Sequence, residues 1–398
     1  MRSLTALPTA VVCLASSLCV LALAQQSVRP PAATPLVAVR PIDPPRHPLP
    51  LEAASASVRR FSFIAYGDTR SQVDGQALQP EHGAVIDRML TKAKQLASTA
   101  YPVRFVLQSG DAVVRGNEGG QWNVSFTPLI GKLTRTADLP YFFTLGNHDA
   151  PPGPPGDPRR AEGLHNTLSA MSRLIPPEGS PRRLNGYLTY AFGYGQLFAI
   201  AIDSNIAADA AQLAWVTDQL EHLDRARYKH VLVFFHHPVF SSGPHGGVAP
   251  GESASPTVDN VEVQTAAIRR LYGPLFRRHH VRMTISGHDH LYDHWIERYV
   301  NGGQTYRTDH LVTGSGGAPI YVYRGEPEVA AYLAAGAQEN VRLQHLAKPG
   351  ATPAENPHHF VVVQVDGDRL SLEVVGIGQR PFAPYGGRST TALDDVAR

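Results

Sequence analysis

An α/β fold with its chemistry at the carboxyl ends of the strands is what this sequence predicts, on three observations. Between residues 61 and 144, strand-length apolar runs alternate with segments of helical period. Each of those runs ends in a glycine-led polar turn: Gly67-Asp68, Ser109-Gly110-Asp111 and Gly146-Asn147-His148-Asp149. Further on, the partly β-branched run Val281 to Ile285 ends at Ser286-Gly287 and delivers His288 and His290, one residue apart. Alternate side chains on an extended backbone point the same way, so these two rings can face one cavity.

Taken in order, residues 1–24 carry one charge, Arg2, then a long apolar stretch ending Ala22-Leu23-Ala24. That is the layout of a secretory signal cut after Ala24, with an uncleaved membrane anchor as the alternative. The two cysteines, Cys13 and Cys19, both lie in it, so the cut chain would hold no disulfide and no thiolate ligand. Any metal would be held by His, Asp, Asn or Glu. Residues 25–57, rich in Pro and Ala, read as an extended linker. A catalytic domain is expected over 58–380, and a tail over 381–398 whose last dozen residues are frayed.

Within the domain, Phe61 to Tyr66 alternates and then runs apolar, a first strand. Glu81 to Leu96 has helical spacing, Val103 to Leu107 is a second strand, a helix follows near Gln121 to Leu133, and Tyr141 to Thr144 is a third strand. Ala150 to Asn185, with many Pro, Gly and Arg, shapes a loop-rich rim. Tyr187 to Tyr190 and Leu197 to Ile202 read as a hairpin around Gly193-Tyr194-Gly195, and a helix near Ala210 to Asp224 precedes the strand Val231 to Phe235, which ends at His236-His237-Pro238. After His290 come strands at Trp295 to Tyr299 and His310 to Thr313, a helical stretch over 327–347, and a hairpin of Phe360 to Val365 with Leu370 to Val375.

Lys and Arg number 36 against 34 Asp and Glu, which provides no basic coat for nucleic acid and no patch for a membrane surface. The donors at the strand ends each have a plain reading: an Asp after Gly caps turns and helices, and an isolated His is commonly solvated or packed. Five strand ends carrying oxygen and nitrogen donors in one ordered set point instead to shared metal binding.

That order, Gly67-Asp68, Gly110-Asp111, Gly146-Asn147-His148-Asp149, His236-His237-Pro238 and Gly287-His288-x-His290, resembles the calcineurin-like metallophosphoesterase superfamily. Within it, Tyr292 and Thr313-Gly314-Ser315-Gly316-Gly317 agree with the purple acid phosphatase-like branch, and the resemblance covers roughly residues 60–317. It implies a four-layer αβ-βα sandwich of two mixed sheets flanked by helices, around a centre of two metal ions, whether Fe, Mn or Zn. Carried over, Asp111 would bridge the ions, Asn147, His236 and His288 would complete one site, and Asp68 and His290 would belong to the other. The ions would clamp a phosphate and activate a water as hydroxide, and His148 would protonate the leaving alkoxide.

Two positions depart from the family. Where many members have a ligating His, this chain has Arg70, whose guanidinium offers only donors. Where the purple acid phosphatases place a Tyr three residues after the bridging Asp, it has Val114. One site is therefore a protein ligand short, a gap that His82 could fill unless it is an exposed helical residue. Arg70 would meet a phosphate oxygen or pair with a structural carboxylate. His245, in Ser241-Ser242-Gly243-Pro244-His245-Gly246, aligns with a substrate-contacting His, the alternative being a solvated loop residue. Asp149 and Asp289 are expected to orient neighbouring histidines. The resulting expectation is an exported protein, periplasmic or secreted, without a stable membrane span after cleavage. It would hydrolyse small-molecule phosphate esters as an acid-phosphatase-like phosphomonoesterase. A phosphodiesterase on nucleotides or lipid head groups, and an exported scaffold with an incomplete site, are the alternatives.

Overall fold

Among the residues described by the computed structural model (37–152, 157–247, 260–378 and 381–393) thirteen strands form two sheets. In chain order they are β1 (Arg60–Tyr66), β2 (Val103–Gln108), β3 (Tyr141–Phe143), β4 (Tyr190–Tyr194), β5 (Leu197–Ala201), β6 (His230–Phe234) and β7 (Met283–Ser286). There follow β8 (Tyr292–Asn301), β9 (Gln304–Thr313), β10 (Arg342–Ala347), β11 (His359–Asp366), β12 (Arg369–Gly376) and β13 (Thr390–Ala392). The first sheet runs β13-β12-β11-β1-β2-β3 and the second β10-β8-β9-β7-β6-β5-β4. Both are mixed: β1, β2 and β3 are parallel, as are β5, β6, β7 and β9, while the outer strands join antiparallel. Strands buried on both faces need apolar residues at nearly every position, which is why residues 63–66 of β1 and 231–234 of β6 read as continuous apolar runs.

The sheets meet through an aromatic layer. Phe142 of β3 stacks on Phe192 of β4 at 3.8 Å between centroids, and Phe105 of β2 meets Phe192 edge-on at 5.3 Å. The helices Pro80–Leu96 and Thr127–Thr136 cover the far side of the first sheet with Val85, Ile86, Met89, Ile130 and Leu133. Helix Ala210–Glu221 and the segments Ile268–Tyr272 and Gly273–Arg278 cover the second with Val216, Leu220, Ile268, Tyr272 and Phe276. The four layers of the expected sandwich are therefore present. Because β1, β2, β3 and β5, β6, β7 are parallel within their sheets, each set opens its carboxyl ends on one edge, where the polar turns gather.

Several expectations are corrected. Residues 37–57 are not a free linker: Val39 and Ile42 are buried, the Ile42 amide donates to the Ala170 carbonyl (2.9 Å), and the Arg40 amide donates to Asn123 Oδ1 (2.8 Å). The prolines keep most of this stretch extended, a 3₁₀ turn forms at Glu52–Ser55, and the whole packs as a strap. The segment 342–347 is strand β10, not helix, because Asn340 adopts a left-handed conformation (φ 50°) that ends the helical stretch and β8 offers an open edge. The first hairpin is shifted: β4 begins at Tyr190 and turns at Gly195-Gln196. Strands β8 and β9 run ten residues each, well beyond the short runs expected. The tail is not frayed over its described part, since Leu393 is fully buried, Tyr385 is buried and β13 pairs with β12. The signal sequence and both cysteines lie outside the described residues, and no described helix is long and apolar enough to cross a membrane.

Candidate metal centre

The polar turns after β1, β2 and β3 meet those after β6 and β7. Their approach depends on missing side chains: a Cβ on Gly287 would stand 2.0 Å from Asp68 Oδ2, and one on Gly146 would stand 2.1 Å from Asp111 Oδ1. Asp68, Asp111 and His288 themselves take left-handed backbone conformations (φ 56°, 55° and 70°). Such conformations cost about 1–3 kcal/mol each and concentrate where function requires them.

The protons on the histidines decide what this cluster can hold. His236 Nδ1–H donates to the Ser109 carbonyl (2.9 Å), so its Nε2 carries a lone pair. His288 Nε2–H donates to Glu262 Oε2 (2.8 Å), so its lone pair is on Nδ1. His290 Nδ1–H donates to the Pro319 carbonyl (2.7 Å), leaving Nε2 3.5 Å from Asp68 Oδ1. His236 Nε2 then lies 2.8 Å from Asn147 Oδ1, 3.2 Å from His288 Nδ1 and 3.4 Å from Asp111 Oδ1. Asn147 Oδ1 is also 3.0 Å from His288 Nδ1. With those tautomers, three acceptor atoms converge, an arrangement that suits a cation.

Burial lowers the His236 pKa to about 4, partly opposed by Asp111, and holds His290 well below the ordinary imidazole range, so both rings stay neutral. Burial and the charge of Asp111 push Asp68 above the usual carboxylate range. Burial also opposes ionisation of Asp111, but His236, His148 and Arg70 outweigh it and lower that carboxylate. A neutral-nitrogen, carboxylate and amide-oxygen set with imidazoles fixed from behind is what a bound cation requires, so the donors fit the metal pair that the sequence implies.

The other expected residues border this set. The His148 amide donates to Asp111 Oδ1 (3.0 Å) and its Nδ1–H donates to the Val114 carbonyl (2.8 Å), leaving Nε2 4.0 Å from Asp111 Oδ2. Arg70 places Nε 3.8 Å from Asp111 Oδ2, and that buried nitrogen has no hydrogen-bond partner. His245 Nδ1–H donates to Glu262 Oε1 (2.7 Å), and its ring lies 4.1 Å from that of His288. Burial works against a charged His245, yet the Glu262 hydrogen bond and the nearby Asp289 raise its pKa. His237 Nδ1 is 2.9 Å from Ser204 Oγ.

Three readings need correction. His82 is not exposed, and both its ring nitrogens are engaged elsewhere: it is fully buried between Tyr66 OH (3.2 Å) and Gln79 Oε1 (2.9 Å). Asp149 orients no histidine; its carboxylate accepts from the amides of Asp111, Ala112 and Gly146 (2.8, 2.8 and 2.9 Å) and ties two of the turns together. Asp289 likewise accepts from Ser241 Oγ and the His245 amide rather than from a ring. Two residues were missed. Tyr321 stacks on His290 at 4.1 Å, from a stretch with no period to mark it. Glu262 follows no strand, and its only sequence signal, a place just before a helix, suggests a cap.

The family model for calcineurin-like phosphoesterase matches residues 63–292. No curated protein matches the chain significantly in sequence. Among solved structures, the purple acid phosphatase PPD1 from yellow lupin (Lupinus luteus) seeds is similar over 87% of this chain at 15% identity, with a TM-score of 0.56. This chain covers 55% of the lupin enzyme's length. A dimetal phosphatase from Danio rerio is similar over 81% of this chain and 98% of its own, at 14% identity and a TM-score of 0.47. The anchor GAP50 of the Plasmodium inner membrane complex is similar over 84% and 89%, at 14% identity and a TM-score of 0.45. With the family model spanning more than half of its length, the chain belongs to the calcineurin-like phosphoesterase family.

Proposed function

We propose that this chain is an exported phosphomonoesterase of acid-phosphatase type, dependent on two metal ions and acting on a small-molecule phosphate ester. The observation that carries the reading is the meeting of His236 Nε2, His288 Nδ1 and Asn147 Oδ1 at 2.8–3.2 Å. Asp111 with these three would hold one ion, and Asp111 with Asp68 and His290 the other. When bound, such a pair supplies Lewis acidity toward phosphoryl oxygens and an activated water near neutral pH.

The chain's own side chains do the rest. Arg70, with a buried Nε lacking a partner, has a planar fork to offer a phosphate oxygen and so orients the ester. His245, held at Nδ1 by Glu262, keeps Nε2 for a second phosphate oxygen. Because the Nδ1–H of His148 is fixed on the Val114 carbonyl, it is Nε2 that, in the imidazolium form, carries a second proton to give to the leaving alkoxide, returning the ring to its neutral Nδ1–H form. Two positively charged or chargeable side chains beside two cations favour a dianionic monoester over a singly charged diester. Export is supported by the apolar, single-charge leader and by a chain that has no cysteine after it.

The test is to strip metal with a chelator, restore manganese, zinc or iron separately, and compare an aryl phosphate monoester with the matching diester. Metal-dependent hydrolysis favouring the monoester is expected. A preference for the diester, or hydrolysis indifferent to metal, overturns the reading.

A further inference from the structure

We infer that Glu262 is a positioning residue, locking the metal-facing tautomer of His288 and the phosphate-facing ring of His245 through one carboxylate; this rests on the proposed function. Its two oxygens are divided between the rings: Oε2 accepts from His288 Nε2 at 2.8 Å and Oε1 from His245 Nδ1 at 2.7 Å. The rings sit 4.1 Å apart between centroids. Glu262 stands at the N-cap of Val263–Ala267, yet its side chain caps no amide, so the carboxylate is given to the two histidines.

His288 is the ring for which this matters. The protons of His236, His290 and His148 are fixed by main-chain carbonyls of Ser109, Pro319 and Val114, which no substitution removes. The proton of His288 is fixed by a side chain. Without that acceptor, His288 can place its hydrogen on Nδ1 and donate it to Asn147 Oδ1, 3.0 Å away. The competing tautomer is thus stabilised by a neighbouring acceptor of the same site, and it blocks a cation from the nitrogen. Carboxylates behind metal-binding imidazoles set tautomer and basicity in this manner, and their loss typically lowers metal affinity about 10–100-fold.

The second ring depends on the same group differently. The backbone around His245 is held independently: its amide lies 3.3 Å from Asp289 Oδ1, the Arg324 amide donates to the Ser242 carbonyl (2.7 Å), and the Glu328 amide donates to the Gly246 carbonyl (3.2 Å). These bonds hold the loop but not the turn of the ring about its bonds to the backbone. Glu262 sets that rotation, directing Nε2 away from the carboxylate.

The experiment titrates zinc or manganese alone into the metal-free full chain by calorimetry, then inorganic phosphate at saturating metal. It is done for wild type, Glu262→Ala, Glu262→Gln, His245→Ala and the double variant Glu262→Ala with His245→Ala. Glu262→Ala should weaken one of the two metal-binding events about 10–100-fold, leave the other unchanged, and also weaken phosphate. Glu262→Gln, of the same shape but able to accept from one ring only, should fall between. His245→Ala should weaken phosphate and leave both metal affinities alone. Adding Glu262→Ala to it should weaken metal by the same factor with no further loss of phosphate. Unchanged metal affinity in both Glu262 variants overturns the inference, as does a phosphate loss that adds in the double variant. If wild type binds no metal, the proposed function fails with it; if wild type binds two ions and Glu262→Ala does so equally well, this inference alone fails.

Discussion

The two sheets hold their halves of the candidate metal centre by different means. On the first sheet, Asp68, Asp111, Asn147 and His148 ride on turns stitched together by main-chain amides. Asp149 gathers three of those amides, and Asp111 receives a fourth from His148. On the second sheet, His236 and His290 lean on carbonyls, but His288 leans on Glu262, which also holds His245. One half is a rigid frame made within its own motifs; the other is completed by a side chain from the start of a distant helix. The first should therefore couple site to stability, and the second should couple metal to substrate.

The largest effect expected is on turnover. His148→Ala, which removes the proposed proton donor but leaves Asn147 and Asp111 in place, should lower kcat on an alkyl phosphate roughly 10²–10⁴-fold with metal content unchanged. Metal loss in that variant would mean that the first half is not rigid without the ring. Next comes Asp149→Ala, which strands three buried amides and should lower unfolding stability by about 3–5 kcal/mol in a urea titration. Glu262→Ala, on a half-exposed side chain, should stay within about 1 kcal/mol. Equal losses in the two variants would erase the contrast between the halves.

Arg70→Ala should raise KM for the monoester and weaken phosphate inhibition, each about tenfold, without changing metal content. A loss of metal would instead make Arg70 a partner of Asp111 alone. A separate, pH-dependent effect concerns His82, buried under the first sheet. Burial lowers its pKa to about 3, whereas the unfolded ring takes a proton near 6.5. Below pH 6.5 the unfolded chain therefore binds more protons, and stability falls as pH drops toward 3. His82→Leu should flatten that fall by up to about 1.4 kcal/mol per pH unit, measured as unfolding free energy between pH 6.5 and 4. His359, lowered by burial to about 4, leaves a residual slope of the same sign.

What the sequence made legible follows the same division. Asp68, Asp111, Asn147, His236, His288 and His290 were readable because each ends an apolar run at a glycine or polar turn, and parallel strands bring such ends to one edge. The tautomers were not readable, since they depend on which carbonyl lies behind each ring. Glu262 was invisible for a related reason: it joins His288 across 26 residues without periodicity, and only the packed fold brings them together. The strap over 37–57 and the strand β10 were misread because local composition speaks for linker and helix, while a buried Ile42 and the open edge of β8 decide otherwise.

Metal content is the measurement closest to the centre of all this. Elemental analysis of the purified chain beside Asp111→Asn, both with unfolding midpoints checked, asks whether one carboxylate serves two cations. About two equivalents per chain in wild type, and loss from both positions in the folded variant, are expected. Full occupancy in Asp111→Asn, or a wild-type chain that takes up no metal at all, would contradict it.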